Sequence, residues 1–120
     1  MKLVDTSETF EREYTEIDEE VKPVFIIRKL TAGEVETIGD STSVLDDKNR
    51  ITYLGGTSIR LKIKFALVGW KNVVDNTGKD ASCNDINKEK LPPNILSWLS
   101  KEIDELSGLT GIAESDKKKS

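Results

Sequence analysis

The chain has 120 residues, of which 36% are hydrophobic and 33% are charged, with a formal net charge of −4 and no histidine. This length suits one domain with one modest core, and the acidic balance argues against general nucleic-acid binding, which needs a basic face to neutralise phosphates. The absence of histidine removes the commonest general base and the commonest metal ligand. Cys83 is the single cysteine, which excludes an intramolecular disulfide and, without histidine, a zinc site of the Cys or His type within one chain.

The first twenty residues are strongly acidic. They hold eight acids against two bases, a net charge of −6 that leaves +2 for the rest of the chain. Acidic residues begin at Asp5, directly after Val4, so no hydrophobic region of a signal peptide is predicted. No apolar run in the sequence approaches the roughly 18 residues that a membrane span needs. We therefore expect a cytoplasmic protein whose acidic N-terminal arm, residues 1–20, stays solvated, folds back on the mildly basic body or docks on a basic partner.

Four apolar residues in this region recur at spacings of four, three and four, as on one face of a helix: Phe10, Tyr14, Ile17 and Val21. Asp5, with Glu8 three residues later, fits a capping box at the start of such a helix. The pattern therefore predicts an amphipathic helix. Its opposite face is acidic and repulsive, so disorder and an added strand are the alternatives.

The next two predicted elements are a strand and a short helix. Val24–Leu30 follows Pro23 and is rich in β-branched and aromatic residues, which makes it the clearest strand. Thr31 then has the chemistry of an N-cap, and Glu34 stands where a capping box places its second residue. The predicted helix runs from Ala32 to about Gly39.

The middle of the chain mixes loop, strand and helix signals. Residues 41–50 are polar and loop-like, and Ile51–Leu54 predicts a brief strand. In residues 58–68, apolar and mainly cationic side chains alternate with the period of two that is typical of a half-buried strand. A helix also fits these residues, but it places Leu61 and Lys62 on awkward faces. The pattern therefore favours a strand over a helix.

The last third of the chain contains a tight turn and the strongest helix. Asp75–Lys79 has turn chemistry, and Leu91–Leu109 keeps apolar residues at three-to-four spacing, with two prolines suited to the first turn and Gly108 near its end. Asp75, Asp80 and Asp85 around this turn lack the ligand spacing and closing glutamate of a calcium loop, so a plain turn is predicted.

The remaining residues with potential chemistry are Cys83 and the two tryptophans. The acids Asp80 and Asp85 near Cys83 would raise rather than lower its pKa, which argues against a reactive thiol. Trp70 and Trp98 stand in apolar contexts, so core packing is the better prediction than base stacking. We therefore predict no catalytic residues, no metal site and no cofactor.

These elements predict an α+β fold in a single small domain. The domain is expected to span residues 21–112, between the acidic arm of residues 1–20 and a flexible basic tail of residues 113–120. Its small sheet or hairpin is expected around Val24–Leu30 and Ile51–Leu67. Its helices are expected near Thr31–Asp40 and Leu91–Leu109, the second being amphipathic and C-terminal.

The order of features from Val24 to Leu109 resembles the tail assembly chaperones of long-tailed phages and prophages. The resemblance is carried by four features in this order: Phe25–Thr31 with Glu34, Ala66–Trp70 with Asn72, Asp75–Gly78, and Leu91–Pro93 leading into the Trp98 helix. The lysine run before the last residue is compatible with it, because many such chaperones are made in a short and a frameshifted longer form. The acidic first twenty residues have no counterpart in the pattern.

The resemblance implies a non-enzymatic protein that binds the tape-measure protein, and also tail-tube subunits, during tail assembly in the cytoplasm of the bacterial host. It implies no nucleic-acid or membrane partner and leaves self-association open. The residues expected to contact a partner are Phe10, Tyr14 and Ile17 on the arm and Leu106 and Leu109 at the helix end, with core packing as the alternative for each. Two other classes stay open: a structural virion protein of the phage neck or tail, and a small phage enzyme or enzyme inhibitor.

Overall fold

Strands and helices occur together along this chain, which confirms the predicted α+β class. The computed structural model describes residues 1–45, 51–53 and 55–109, so the predicted basic tail lies outside the described residues. The elements in chain order are β1 (Phe10–Glu13), β2 (Val24–Ile27), α1 (Ala32–Thr42), β3 (Ser43–Leu45), β4 (Ile51–Tyr53), α2 (Gly55–Ala66), β5 (Leu67–Lys71), α3 (Asp85–Lys88) and α4 (Pro93–Leu106).

The strands form two antiparallel sheets. The larger has the order β1-β2-β5, and β3 pairs with β4 in a separate hairpin. β2 is therefore the central strand, which suits its β-branched and aromatic residues because both of its edges are paired. The ladder between β2 and β5 shifts register between Ile26 and Ile27, and Val68, opposite this irregularity, is 46% exposed.

One face of the larger sheet carries the core. Phe25 and Ile27 are completely buried, and the register places them opposite Trp70 and Leu67 of β5. Leu99 of α4 is equally buried and belongs to the same apolar cluster. The alternate residues of β2 are only half-buried on the opposite face, as the period of two in a strand requires.

The predicted N-terminal helix is wrong, and the added strand that competed with it is present. Residues 10–13 pair with β2 in register, with Phe10 opposite Ile27 and Glu13 opposite Val24. A short isolated helix with one acidic face is marginal in water, whereas a strand on an existing sheet needs only every second side chain to be apolar. Part of the predicted arm therefore belongs to the sheet, and Val21, expected on the helix face, is 60% exposed.

The predicted capping box at the start of α1 is confirmed. The Thr31 backbone N–H donates to the Glu34 carboxylate at 2.9 Å, and the Glu34 N–H donates to the Thr31 hydroxyl at 3.2 Å. The helix continues beyond the predicted stop at Gly39, because the side chain of Thr42 is buried and donates its hydroxyl to the Ile38 carbonyl at 2.8 Å.

The Glu34 carboxylate also receives both guanidinium N–H groups of Arg28, at 2.8 and 2.6 Å. These two hydrogen bonds are the main cause that holds the pKa of Glu34 below its ordinary value of 4.5, while partial burial opposes them. Because the pKa is lowered in the fold, the stability contributed by this carboxylate is present above the ordinary pKa and is lost as pH falls through the lowered one.

Glu34→Gln is therefore expected to destabilise the protein by about 1 kcal/mol near neutral pH, the upper end for a partly exposed ion pair. The difference in the free energy of unfolding between this variant and wild type should shrink as the pH falls through the lowered pKa of Glu34, because the protonated acid of the wild type no longer attracts Arg28. Urea unfolding of both proteins at a series of pH values measures this. Glu36→Gln, an exposed acid of the same helix, is the matched control and should show no such trend. A constant difference at all pH values would contradict the expectation.

The strand favoured for residues 58–68 is wrong, because the chain forms a helix to Ala66 and only then the strand β5. α2 packs between α1 and α4, so apolar side chains on more than one side of it are covered. Lys62, awkward on an isolated helix, has its ammonium 3.0 Å from the Asp104 carboxylate of α4. Leu61 is half-buried against the core cluster.

The predicted C-terminal helix is confirmed as α4, with Pro93 in its first turn and Ile95, Leu99 and Ile103 buried. Its end is a Schellman motif: Gly108 has a φ of 78°, its N–H donates to the Glu105 carbonyl, and the next N–H donates to the Asp104 carbonyl. Gly108 ends the helix as predicted because this left-handed conformation costs glycine little. Within the described residues, no helix is both long enough and apolar enough to cross a membrane.

Candidate partner-binding site

α4 lies along β1, and three contacts define their alignment. The Asn94 amide donates to the Tyr14 hydroxyl at 3.2 Å, and the Tyr14 and Trp98 rings meet edge to face at 5.0 Å. One turn further on, the Arg12 guanidinium lies 3.5 Å from the Glu102 carboxylate. Along the row of contacts, the residue numbers decrease in β1 and increase in α4, so the strand and the helix run antiparallel.

The same alignment, continued by one step, is expected to bring Leu106 near Phe10, and both side chains pack against the core cluster. Two residues of a strand and four residues of a helix both span about 6 Å. Phe10 is two residues before Arg12 and Leu106 is four residues after Glu102, so the two apolar residues are expected to lie at the same level, one step beyond the ion pair. A second contact supports the placement: the N–H of Leu30, just after β2, donates to the Ser107 hydroxyl at 3.0 Å. We call the row formed by the two elements the β1–α4 seam: Phe10, Arg12, Tyr14, Trp98, Glu102 and Leu106.

The five residues predicted to contact a partner lie in or near the β1–α4 seam. Tyr14 is 6% exposed and belongs to the core, so it offers a partner almost no surface in this fold. Phe10, Leu106 and Leu109 are half-buried at the other end of the row, against the same core. Ile17 is half-buried in the bend between β1 and β2, where its carbonyl accepts the Lys22 ammonium.

Cations surround Phe10. The Lys29 ammonium and the Arg12 guanidinium each lie 5.9 Å from the centre of its ring, within the range of a cation–π interaction. The half-buried end of the β1–α4 seam is therefore an aromatic ring near two cations, of which Arg12 is already paired with Glu102. The helix prediction for residues 5–21 hid this site, because only the alternation of a strand places Phe10 and Arg12 on one face.

The free edge of β1 is protected against strand addition. The Tyr14 N–H donates to the Pro23 carbonyl at 3.0 Å, so by the alternation of antiparallel pairs the backbone of Glu11 and Glu13 faces away from β2. The Glu11 carbonyl accepts the Arg12 guanidinium at 3.0 Å, and two acidic side chains line the edge. A second β1 placed antiparallel here would set like charges opposite each other, which is destabilising. The side chains of the β1–α4 seam, and not the backbone of this edge, are therefore the candidate contact surface.

The other candidate residues have structural roles. Trp70 packs against Phe25 with ring centres 6.4 Å apart and donates its indole N–H to the Ala81 carbonyl at 2.7 Å. Partial burial is the main cause that raises the pKa of Cys83; the Lys88 charge opposes it and the Asp85 charge adds to it, so the thiol is not activated.

The Asp75 turn is closed by its own side chain. The Asp75 carboxylate accepts the hydroxyl and the N–H of Thr77 and the N–H of Lys79, and the Thr77 hydroxyl is the main cause that lowers the pKa of Asp75. This carboxylate is therefore engaged in the turn itself, as a plain turn requires. Across residues 1–45, 51–53 and 55–109, no group of three or more His, Cys, Asp or Glu side chains is placed to hold a metal ion.

Comparison of the chain with known proteins finds no matching family model, no matching curated protein and no matching solved structure.

Proposed function

We propose that this protein is a tail assembly chaperone of a long-tailed phage or prophage, which acts by binding and not by catalysis. Its client is the tape-measure protein, with tail-tube subunits as further clients, and it works in the cytoplasm of the bacterial host. The observation that carries the proposal is the half-buried end of the β1–α4 seam, where Phe10 and Leu106 lie beside a strand edge that resists strand addition. The resemblance of residues 24–109 to this class of phage proteins supports it.

The shape of the β1–α4 seam favours a helical client. Leu106, at the end of α4, and Phe10, at the start of β1, are both half-buried, and an amphipathic helix can lay its apolar stripe along a row of such side chains. The Lys29 ammonium beside the Phe10 ring would attract acidic residues that flank this stripe. A tape-measure protein is a long helical chain whose apolar stripes are exposed until the tail closes around it, so shielding one stripe segment at a time would keep it soluble.

The small size of this surface suits a temporary complex. The half-buried apolar side chains at this end of the molecule are few: Phe10, Leu106 and Leu109. Complete burial of one such side chain contributes about 1.5–3 kcal/mol, and association costs consume several kcal/mol of the sum. The remaining free energy is small, so the complex is expected to be weak enough for the chaperone to be displaced during tail assembly.

Co-expression with the longest coiled-coil-like protein encoded beside this chain tests the proposal. With the wild-type chain, the client is expected in the soluble fraction and should co-elute. Phe10→Ser and Leu106→Ser should each reduce the soluble client at least several-fold, because each removes an apolar contact without adding charge. Val74→Ser is the matched control, since Val74 is 55% exposed and follows β5, the opposite edge of the sheet from β1.

Circular dichroism on the purified variants establishes that each is folded before its binding is compared. A client that stays insoluble with the wild-type chain, or that both serine variants solubilise as well as wild type does, would contradict the proposal. If the solubility of the client does not depend on this chain and the chain is found in finished particles, the chaperone proposal is replaced by that of a structural virion protein of the neck or tail.

A further inference from the structure

A second apolar surface lies on the other side of α4, where a cleft of about 530 Å³ opens between α2, α3 and α4. Its floor is apolar and is made by Leu61 and Ile63 of α2 and Leu96 of α4. It faces the helix layer and not the β1 edge. The cleft is therefore separate from the β1–α4 seam and has no part in the function proposed above.

The α2 rim of this cleft carries positive charge that is not neutralised. Lys88 has Asp85 as a counterion at 3.8 Å and donates to the Lys64 carbonyl at 3.4 Å. Arg60 and Lys64 are exposed, and within the part of the chain that the structure describes neither has an acidic partner. Two acids, Asp85 and Glu89, line the α3 side of the cleft, so its unpaired positive charge lies on the α2 rim. The cleft thus suits an apolar occupant that places acidic groups at that rim.

The N-terminal segment of this same chain has that chemistry. Met1, Leu3 and Val4 are 119%, 89% and 47% exposed, so these apolar side chains gain little from burial in the present arrangement. Asp5 and Glu8 follow directly and are held in a turn, in which the Glu8 N–H donates to the Asp5 carbonyl at 3.2 Å. An apolar run followed by two carboxylates complements an apolar floor with a cationic rim.

We propose that residues 1–8 of one copy dock in the α2–α4 cleft of a second copy. Leu3 and Val4 cover the apolar floor, and the carboxylates that follow face Arg60 and Lys64. The segment leaves the domain at β1, on one side of α4, whereas the cleft lies on the other side of that helix. A neighbouring copy can present its cleft to this segment directly. Two such contacts, exchanged reciprocally, close a two-fold dimer.

Sedimentation equilibrium on the full chain over a wide concentration range tests this. The weight-average mass of wild type is expected to rise from 13.4 kDa toward twice that value. The arm variant Leu3→Asp/Val4→Asp and the cleft variant Arg60→Glu/Lys64→Glu should each associate at least tenfold more weakly. Val21→Asp, which changes another exposed apolar residue, is the control and should associate as wild type does.

Mixing the two variants separates docking between copies from other effects. The arm variant keeps an intact cleft and the cleft variant keeps an intact arm, so the mixture should associate more strongly than either variant alone. All the substituted residues lie on the surface, and equal thermal midpoints establish that the variants are folded. A wild-type mass that stays at that of the monomer, an arm variant that associates as wild type does, or a mixture no stronger than its components overturns the proposal.

Discussion

Phe25→Ala is expected to lower the free energy of unfolding by about 3–5 kcal/mol, the range for losing a fully buried phenylalanine. The Phe25 side chain is 0% exposed. It lies edge to face with Trp98 of α4 at 6.0 Å and with Trp70 of β5 at 6.4 Å. Removing the ring leaves a cavity between the sheet and α4 that backbone movement cannot close, because the strands on both sides of β2 hold it in place. Urea unfolding followed by tryptophan fluorescence measures the loss.

Val24→Ala is the matched control for Phe25→Ala. Val24 is the preceding residue of β2, lies on the opposite face of the sheet and is half-buried, so its truncation should cost about 1 kcal/mol or less. The two substitutions together test the assignment of the two faces. Equal losses would show that the core does not lie on the Phe25 face.

Lys64→Pro is expected to lower the free energy of unfolding by about 3 kcal/mol or more. Lys64 lies in the last turn of α2 with its side chain exposed, so the lost energy comes from the backbone and not from packing. Proline removes the helical hydrogen bond to the carbonyl four residues earlier, and its ring clashes with that carbonyl. Urea unfolding of the variant measures the effect.

Lys64→Ala separates the backbone effect from loss of the side chain. Alanine keeps the helical hydrogen bond, so the free energy of unfolding should change by no more than about 0.5 kcal/mol. A proline variant that unfolds at the same urea concentration as the alanine variant would show that residues 58–68 are not helical. The alternating pattern would then have indicated the correct structure.

Local signals predicted the elements whose ends are marked by side-chain chemistry. The capping box of Thr31 and Glu34 begins α1, and Gly108 ends α4, because both features depend on hydrogen bonds within a few residues. The Asp75 turn is local in the same way. The strand at Val24–Leu30 was also identified, since a run of β-branched and aromatic residues suits a central strand wherever its partners lie.

The candidate site was predicted only in part, because its alignment depends on residues far apart in sequence. Phe10 and Leu106 were predicted to contact a partner, and the structure shows both half-buried against the same core. Arg12 and Glu102, whose ion pair helps to set the β1–α4 seam, were not recognised. Tyr14 was expected to be available to a partner, but packing against Trp98 buries it.

The sequence by itself determined the α+β class, the central strand, the caps of the helices and the absence of histidine chemistry, because each depends on composition or on neighbours within one turn. Only the tertiary structure decided the conformation of residues 10–13 and 58–68. Residues 10–13 became a strand because β2 offered a free edge, and residues 58–66 lie in a helix because α1 and α4 cover its two sides and Asp104 neutralises Lys62. The local pattern favoured a helix for the first segment and a strand for the second, and in both cases the contacts available in the fold selected the alternative.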